Sequence, residues 1–293
     1  MSQKIDYLKD YFKYLKNPIS CLLFKFGLKK SVNMKLKKYD ETFKITKVSA
    51  LDGIMDIIEY QNEISNEFAT FINDLNSNKK VIPWAGANII NYTEDGLNPL
   101  IYFEYFNAGY WNDFDFNLKN RTAIDIGSNV GDSSVYFASQ GADVYGFEPV
   151  KHLYEYSLDL KKANPDLKDK LHFFNMGVSD KKGFINIDSM DSTSGYSENN
   201  SYEVEITTLN DILSENDIKP DFMKMDCEGC EFNIILNTDL SGFRDIILEH
   251  HAQMVNRDYN ELTEKLKSEG FEIREIKVFN RDFNDLGLIH AYK

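Results

Sequence analysis

Hydrophobic and polar positions change their rhythm once along this chain, near residue 120. Downstream, short apolar runs alternate with segments of helical spacing. A run at 123–126 is followed by Val135, Phe137 and Ala138 behind Asp132-Ser133-Ser134, then by a second run at 143–147 and a helix over 152–163 that stops before Asn164-Pro165. The same reading gives strands over 172–178, 221–225, 245–248, 271–278 and 287–292, a helix over 258–268 ended by Gly270, and an added hairpin through 184–187. Seven strands with helices between the first five predict an α/β fold, a doubly wound Rossmann-like sheet with its ligand loops at the carboxyl ends of the strands.

Upstream the pattern is mixed. Ile5, Leu8, Phe12 and Leu15, then Leu22, Leu23, Phe24 and Phe26, predict two short helices separated by the turn Asn17-Pro18. Residues 35–48 alternate as a hairpin around Asp40-Glu41, 54–75 have helical spacing, and 81–93 read as strand. The aromatic stretch 100–111 is expected to pack beside the first core strand, with Tyr110 and Trp111 as alternative pocket walls. The chain therefore divides into a mixed α+β N-terminal extension, residues 1–112, and an α/β domain, residues 113–293.

With 42% hydrophobic and 14% aromatic residues, a sizeable core is available. A net charge of −14 speaks against nucleic acid as a partner, because phosphate contact needs clustered cations. The first 47 residues run the other way, with twelve lysines against four acids. Residues 1–30 thus have two readings: apolar faces docked on the protein, favoured because the lysines interleave with them, or a basic surface peripheral to an anionic membrane. Cys21, Cys227 and Cys230 are too few for a disulfide framework, and no run of about 18 apolar residues is present, so a cytoplasmic location is expected.

The candidate chemistry starts at Gly127. Gly127-Ser128-Asn129-Val130-Gly131 turns a strand into a helix, and Glu148 ends the next strand. Glycines allow a tight turn and close approach, exposed N–H groups at a helix start are donors, and a carboxylate at the second strand's tip can accept two ribose hydroxyl protons. A dinucleotide site wants glycine where Asn129 stands. Asp125 would repel a pyrophosphate but receive an amino group, so the expected cofactor is S-adenosyl-L-methionine.

The strings D-I-G-S-N-V-G-D-S-S (125–134), Y-G-F-E-P (145–149) and F-M-K-M-D-C-E-G-C-E (222–231), in that order, resemble the FkbM-type family of S-adenosylmethionine-dependent methyltransferases from about residue 121 to the end. The resemblance implies that the last strand inserts antiparallel beside strand five, and that Asp226, Glu228 and Glu231 matter. Asp125, Gly127, Ser128, Asn129, Gly131, Glu148 and Asp226 are expected to bind the cofactor, with Asn175 and Met176 at the adenine edge. Methyl transfer to oxygen needs a base near the acceptor hydroxyl, and the candidates are Asp226, Glu228 and His250, with His251 beside it.

A divalent ion held by Asp226, Glu228, Glu249 and the two histidines is the less favoured alternative, so no residue is assigned to a metal. Cys227 and Cys230 read as small apolar positions, two thiolates being too few for zinc. The expected activity is O-methylation of a small molecule or glycan, a sugar foremost, with the polar loop 191–201 as a pocket wall. A non-catalytic S-adenosylmethionine-binding scaffold in a glycan or lipid-carrier pathway is the alternative.

Overall fold

The fold is that of a computed structural model, described here for residues 2–37, 42–48, 51, 54–55, 81–84, 87–90, 117–188, 201–280 and 283–293. The chain forms two compact units, Met1–Asp115 with Thr193–Tyr196, and Phe116–Ser192 with Ser197–Lys293.

In the first unit, helices α1 (Ser2–Tyr14) and α2 (Pro18–Lys25) precede a hairpin of β1 (Val32–Lys35) and β2 (Thr42–Ile45). Pro18 begins α2, where its missing N–H costs nothing. The Asn17 side chain donates to the Asn33 carbonyl at 2.8 Å and accepts from the Lys35 N–H at 2.9 Å, tying the interhelical link to β1. The hairpin thus starts three residues earlier than the 35–48 pattern suggests. The stretch at 81–93 is itself a hairpin, β3 (Val81–Trp84) and β4 (Ala87–Ile90). Most of the helical pattern at 54–75 and the whole aromatic stretch 100–111, with Tyr110 and Trp111, lie outside the described residues.

The second unit runs β5 (Thr122–Ile126), α3 (Asp132–Ser139), β6 (Asp143–Phe147), α4 (Lys151–Ala163), β7 (Leu171–Phe174), β8 (Gly177–Ser179), β9 (Gly183–Asp188), β10 (Ser201–Thr208) and α5 (Leu209–Glu215). It continues with β11 (Phe222–Met225), α6 (Glu231–Asn237), β12 (Asp245–His251), α7 (Ala252–Val255), α8 (Asn260–Ser268), β13 (Glu272–Asn280) and β14 (Phe283–Tyr292). The main sheet has seven strands in the order β13-β14-β12-β11-β5-β6-β7, with β14 antiparallel to both neighbours and the pairs from β12 to β7 parallel. From β5 the chain winds outward to β7, then returns to lay β11 on the other side of β5. That reversal makes the carboxyl ends of β5 and β11 the switch point of the sheet, the place where doubly wound sheets bind ligands. The core between sheet and helices includes Ile124, Ile126, Met223, Met225, Phe232, Ile246, Leu248 and Leu262.

At the opposite end of the strands, buried Arg121 pairs with Asp221 at 2.7 Å and Asp245 at 2.6 Å, and His290 reaches Asp245 at 3.4 Å. Arg244 also binds Asp221, and with Arg121 holds that carboxyl below its usual range. The network joins the ends of four adjacent strands.

Two sequence expectations need correction. The strand expected over 172–178 is two: β7 ends at Phe174, and β8 joins a separate sheet in the order β8-β10-β9. At the break the Asn175 side chain donates to the carbonyls of Glu148 and Pro149 at 2.9 and 3.0 Å. Strand five does not stop at Leu248. Pairing with β14 carries it through His251, each of Glu249, His250 and His251 facing a residue of Leu286–Leu288.

Candidate active site

The turn after β5 is tight. Gly127, Asn129 and Gly131 have φ of +73°, +49° and +87°, a region that suits glycine and that asparagine tolerates better than most. The Phe147 carbonyl accepts from the N–H groups of Gly127 and Ser128 at 3.0 and 3.1 Å. A Cβ at Gly127 would overlap the carbonyl oxygen of Asp226, so the turn and the tip of β11 touch backbone to backbone. A Cβ at Gly131 would press into Phe173 and Ser157.

Beneath the turn lies a buried ion pair. Lys224, fully buried in the apolar strand β11, donates to the Gly127 carbonyl at 2.8 Å and pairs with Asp125 at 3.3 Å. Asp125 also accepts from the hydroxyls of Ser133 and Ser134, each at 2.6 Å. Desolvation works against the Lys224 charge, but Asp125, Asp226 and Asp132 together outweigh it and raise its pKa. Asp125, expected to meet a ligand amino group, is therefore fully buried and committed to Lys224 and the two serines.

Above the turn are groups that want a partner. Glu148 is buried at the tip of β6, one oxygen accepting from the Asn129 N–H at 3.0 Å and the other from the Val150 N–H at 2.8 Å. Burial pushes its pKa up to about 7 despite those two donors. The Ser128 hydroxyl, the Asn129 side-chain oxygen and both oxygens of Asp132 are buried without a well-formed hydrogen bond. Burial holds the Asp132 carboxyl well above the carboxylate range, against the pull of Lys224. Sequence reasoning passed over Asp132 as the opening of a helix; its signal was an acid directly after the last glycine.

A second cluster forms where β11 and β12 end. The His251 ring faces carboxylates on both sides, with Nδ1 3.0 Å from Glu231 and Nε2 3.3 Å from Glu228. Asp226 and Glu249 each lie 4.0 Å from Nε2. Desolvation disfavours its charge, but the Glu231 bond and the charges of Glu231, Asp226 and Glu228 prevail and raise its pKa to about 9. His251 is thus an imidazolium at neutral pH. Asp226 shifts upward, chiefly by burial, with Lys224 and His251 restraining the rise.

Strand alternation separates the two histidines. His251 enters the cluster, whereas His250, expected as a base, is fully buried and stacks on Tyr259 with ring centroids 5.0 Å apart. Glu228 has φ of +55°, a costly conformation for a residue with a side chain, and the disulfide Cys227–Cys230 closes its loop. The two cysteines are therefore cross-linked instead of serving as separate apolar positions. Asp226, Glu228 and His251 offer atoms within 4.8 Å of one another, a spacing that would suit a cation. The His251 imidazolium already supplies the positive charge there, and we assign no metal ligand.

This charge has a measurable consequence. A histidine raised from 6.5 to about 9 stabilises the fold fully below about pH 6.5, and that contribution is lost as pH rises through about 9. Urea midpoints should fall over this window by the equivalent of up to about 3 kcal/mol, and His251→Gln should flatten the fall.

The Methyltransferase FkbM domain matches residues 125–273, just over half of the chain. The chain belongs to the FkbM methyltransferase family. The two clusters lie within the matched FkbM domain. Among solved structures, a methyltransferase FkbM from Methylobacillus flagellatus KT is similar at 13% identity and TM-score 0.47, over 84% of this chain and 59% of that chain, under two thirds of its length. The magnesium protoporphyrin IX methyltransferase of Synechocystis, with bound SAM, aligns at 14% identity and TM-score 0.40 over 83% and 90%. Aeropyrum pernix fibrillarin aligns at 10% and 0.43 over 90% and 94%. At these values the likenesses say nothing of substrate. Among curated proteins none matches. Among the described residues, no helix is long and apolar enough to cross a membrane.

Proposed function

We propose that this FkbM methyltransferase moves a methyl group from S-adenosylmethionine to a hydroxyl of a polyhydroxylated acceptor, a sugar or glycan. The observation that carries the cofactor reading is the set of unsatisfied groups around the glycine turn. Ser128, Asn129 and Asp132 present buried polar atoms without well-formed hydrogen bonds beside the turn. A ligand bearing an ammonium and hydroxyls fits them. Asp132 would hold the ammonium and regain its charge; Glu148 would accept from ribose hydroxyls while keeping the Asn129 and Val150 N–H groups in line.

When bound, S-adenosylmethionine supplies an electrophilic methyl on a sulfonium. The chain's part is to orient a hydroxyl and take its proton. Asp226 is suited to this: it stands at the tip of β11 against the turn, its side chain is 29% exposed, and its pKa is raised by burial while Lys224 and His251 restrain the rise. Being protonated, His251 serves as the positive centre that orients Asp226 and Glu228. Glu231, wholly buried, anchors the ring from behind and also accepts from the Cys227 N–H at 3.1 Å. The oxygen-acceptor reading rests on that choice of base, which can take a hydroxyl proton as the methyl is transferred.

Incubation with methyl-labelled S-adenosylmethionine and a panel of simple glycosides tests the reading. The expected product is a methyl ether that survives alkali. Label released by mild alkali would mean a carboxylate acceptor, and label only on amines would mean nitrogen; either would overturn the hydroxyl assignment.

A further inference from the structure

Helix α2 is apolar on two opposite faces, one of them buried and the other partly exposed, with Leu22 and Leu23 half-buried. Cys21 and Phe24 point into the first unit and are buried, in a helix that packs on β1. On the opposite side, at i, i+3, i+4 and i+7, stand Ile19, Leu22, Leu23 and Phe26, of which Ile19 and Phe26 are each 64% exposed. Leu28 follows at 73% exposure. A helix that is apolar all round is ordinarily buried all round, so this second stripe calls for a partner.

The charges beside it say which. Lys29 and Lys30 are exposed directly after Leu28, Lys25 flanks the stripe, and the Lys29 ammonium is held at the Ser20 hydroxyl by a 2.6 Å bond, next to Ile19. Cations therefore ring the apolar stripe in a protein whose net charge is −14. A second copy of the chain would bring the same lysines face to face, which disfavours self-association. We propose that this face of α2, with the Phe26–Lys30 segment, seats on an anionic lipid bilayer: the apolar side chains enter the acyl boundary and the lysines meet the headgroup charge. The inference is independent of the methyl-transfer reading.

Cosedimentation of the full chain with vesicles of phosphatidylcholine, with and without phosphatidylserine, tests it. The expected result is binding that needs phosphatidylserine, weakens with salt, and falls at least tenfold in Phe26→Ser/Leu28→Ser. Both positions are exposed, so the variant should keep the circular dichroism of the parent. Three results would overturn the proposal: no binding to either vesicle, binding that the variant leaves unchanged, which would mean simple polyanion attraction, or a concentration-dependent dimer that the variant abolishes, which would assign the stripe to a second copy.

Discussion

Asp226→Asn is expected to lower kcat by about 10²- to 10⁴-fold while leaving the affinity for S-adenosylmethionine within a few-fold. Asparagine matches aspartate in shape, and the Asp226 backbone that abuts Gly127 is untouched, so the turn keeps its form. Lys224 retains its closest carboxylate, Asp125 at 3.3 Å, and His251 retains Glu231 and Glu228. The proton acceptor alone is lost. A pH profile separates this from a structural role: the parent should gain activity as Asp226 ionises, at a pH above the ordinary aspartate range, and the variant should lose that limb. A kcat within about threefold of the parent would remove Asp226 from the chemistry.

The central sheet was legible because its strands obey a simple rule. Parallel strands buried on both faces read as largely apolar runs, and β5, β6 and β11 were found within a residue of their ends although Asp125 and Lys224 interrupt two of them. The rule fails where several polar residues follow one another in a strand. Glu249-His250-His251 look like a loop, yet they pair with Leu286–Leu288, and only that pairing decides which histidine joins the acids. Strand β10 was missed for a different reason. Val204 and Ile206 alternate with Glu203 and Glu205, a half-buried pattern that was available, but its partner β9 lies across residues 189–200 in sequence. Helix α5 also carried a signal, since the Thr208 hydroxyl accepts from the Asp211 N–H at 3.1 Å in a T-x-x-D start.

At the site, residue types were easier to read than their partners. Gly127, Gly131 and Glu148 stand where the glycine-turn pattern puts them, because backbone geometry allows little else. Asp125 was misjudged because sequence cannot say that a charge two residues before a glycine faces a lysine on the adjacent strand. Pairing of Lys224 with Asp125 across β5 and β11 decides it. Cys227 and Cys230 gave the spacing of their link but not its formation.

Glu148→Ala is expected to weaken S-adenosylmethionine binding by about 10²-fold or more, since it removes a charged acceptor and releases the Asn129 and Val150 N–H groups it holds. The parent carries a second signature. Its Glu148 titrates near 7 when buried without ligand, and hydroxyl donors favour the ionised form, so binding expels a proton below that pH. Affinity should therefore rise at least tenfold from pH 6 to pH 8, and Glu148→Gln should bind weakly and lose the Glu148 share of that slope. Calorimetric titration of the full chain with S-adenosylmethionine at those two pH values is the most direct measurement. One-site binding that tightens with pH more steeply in the parent than in Glu148→Gln is the predicted result; an absence of binding at both pH values, or equal binding by parent and variant, would contradict the account of the glycine turn and the base placed beside it.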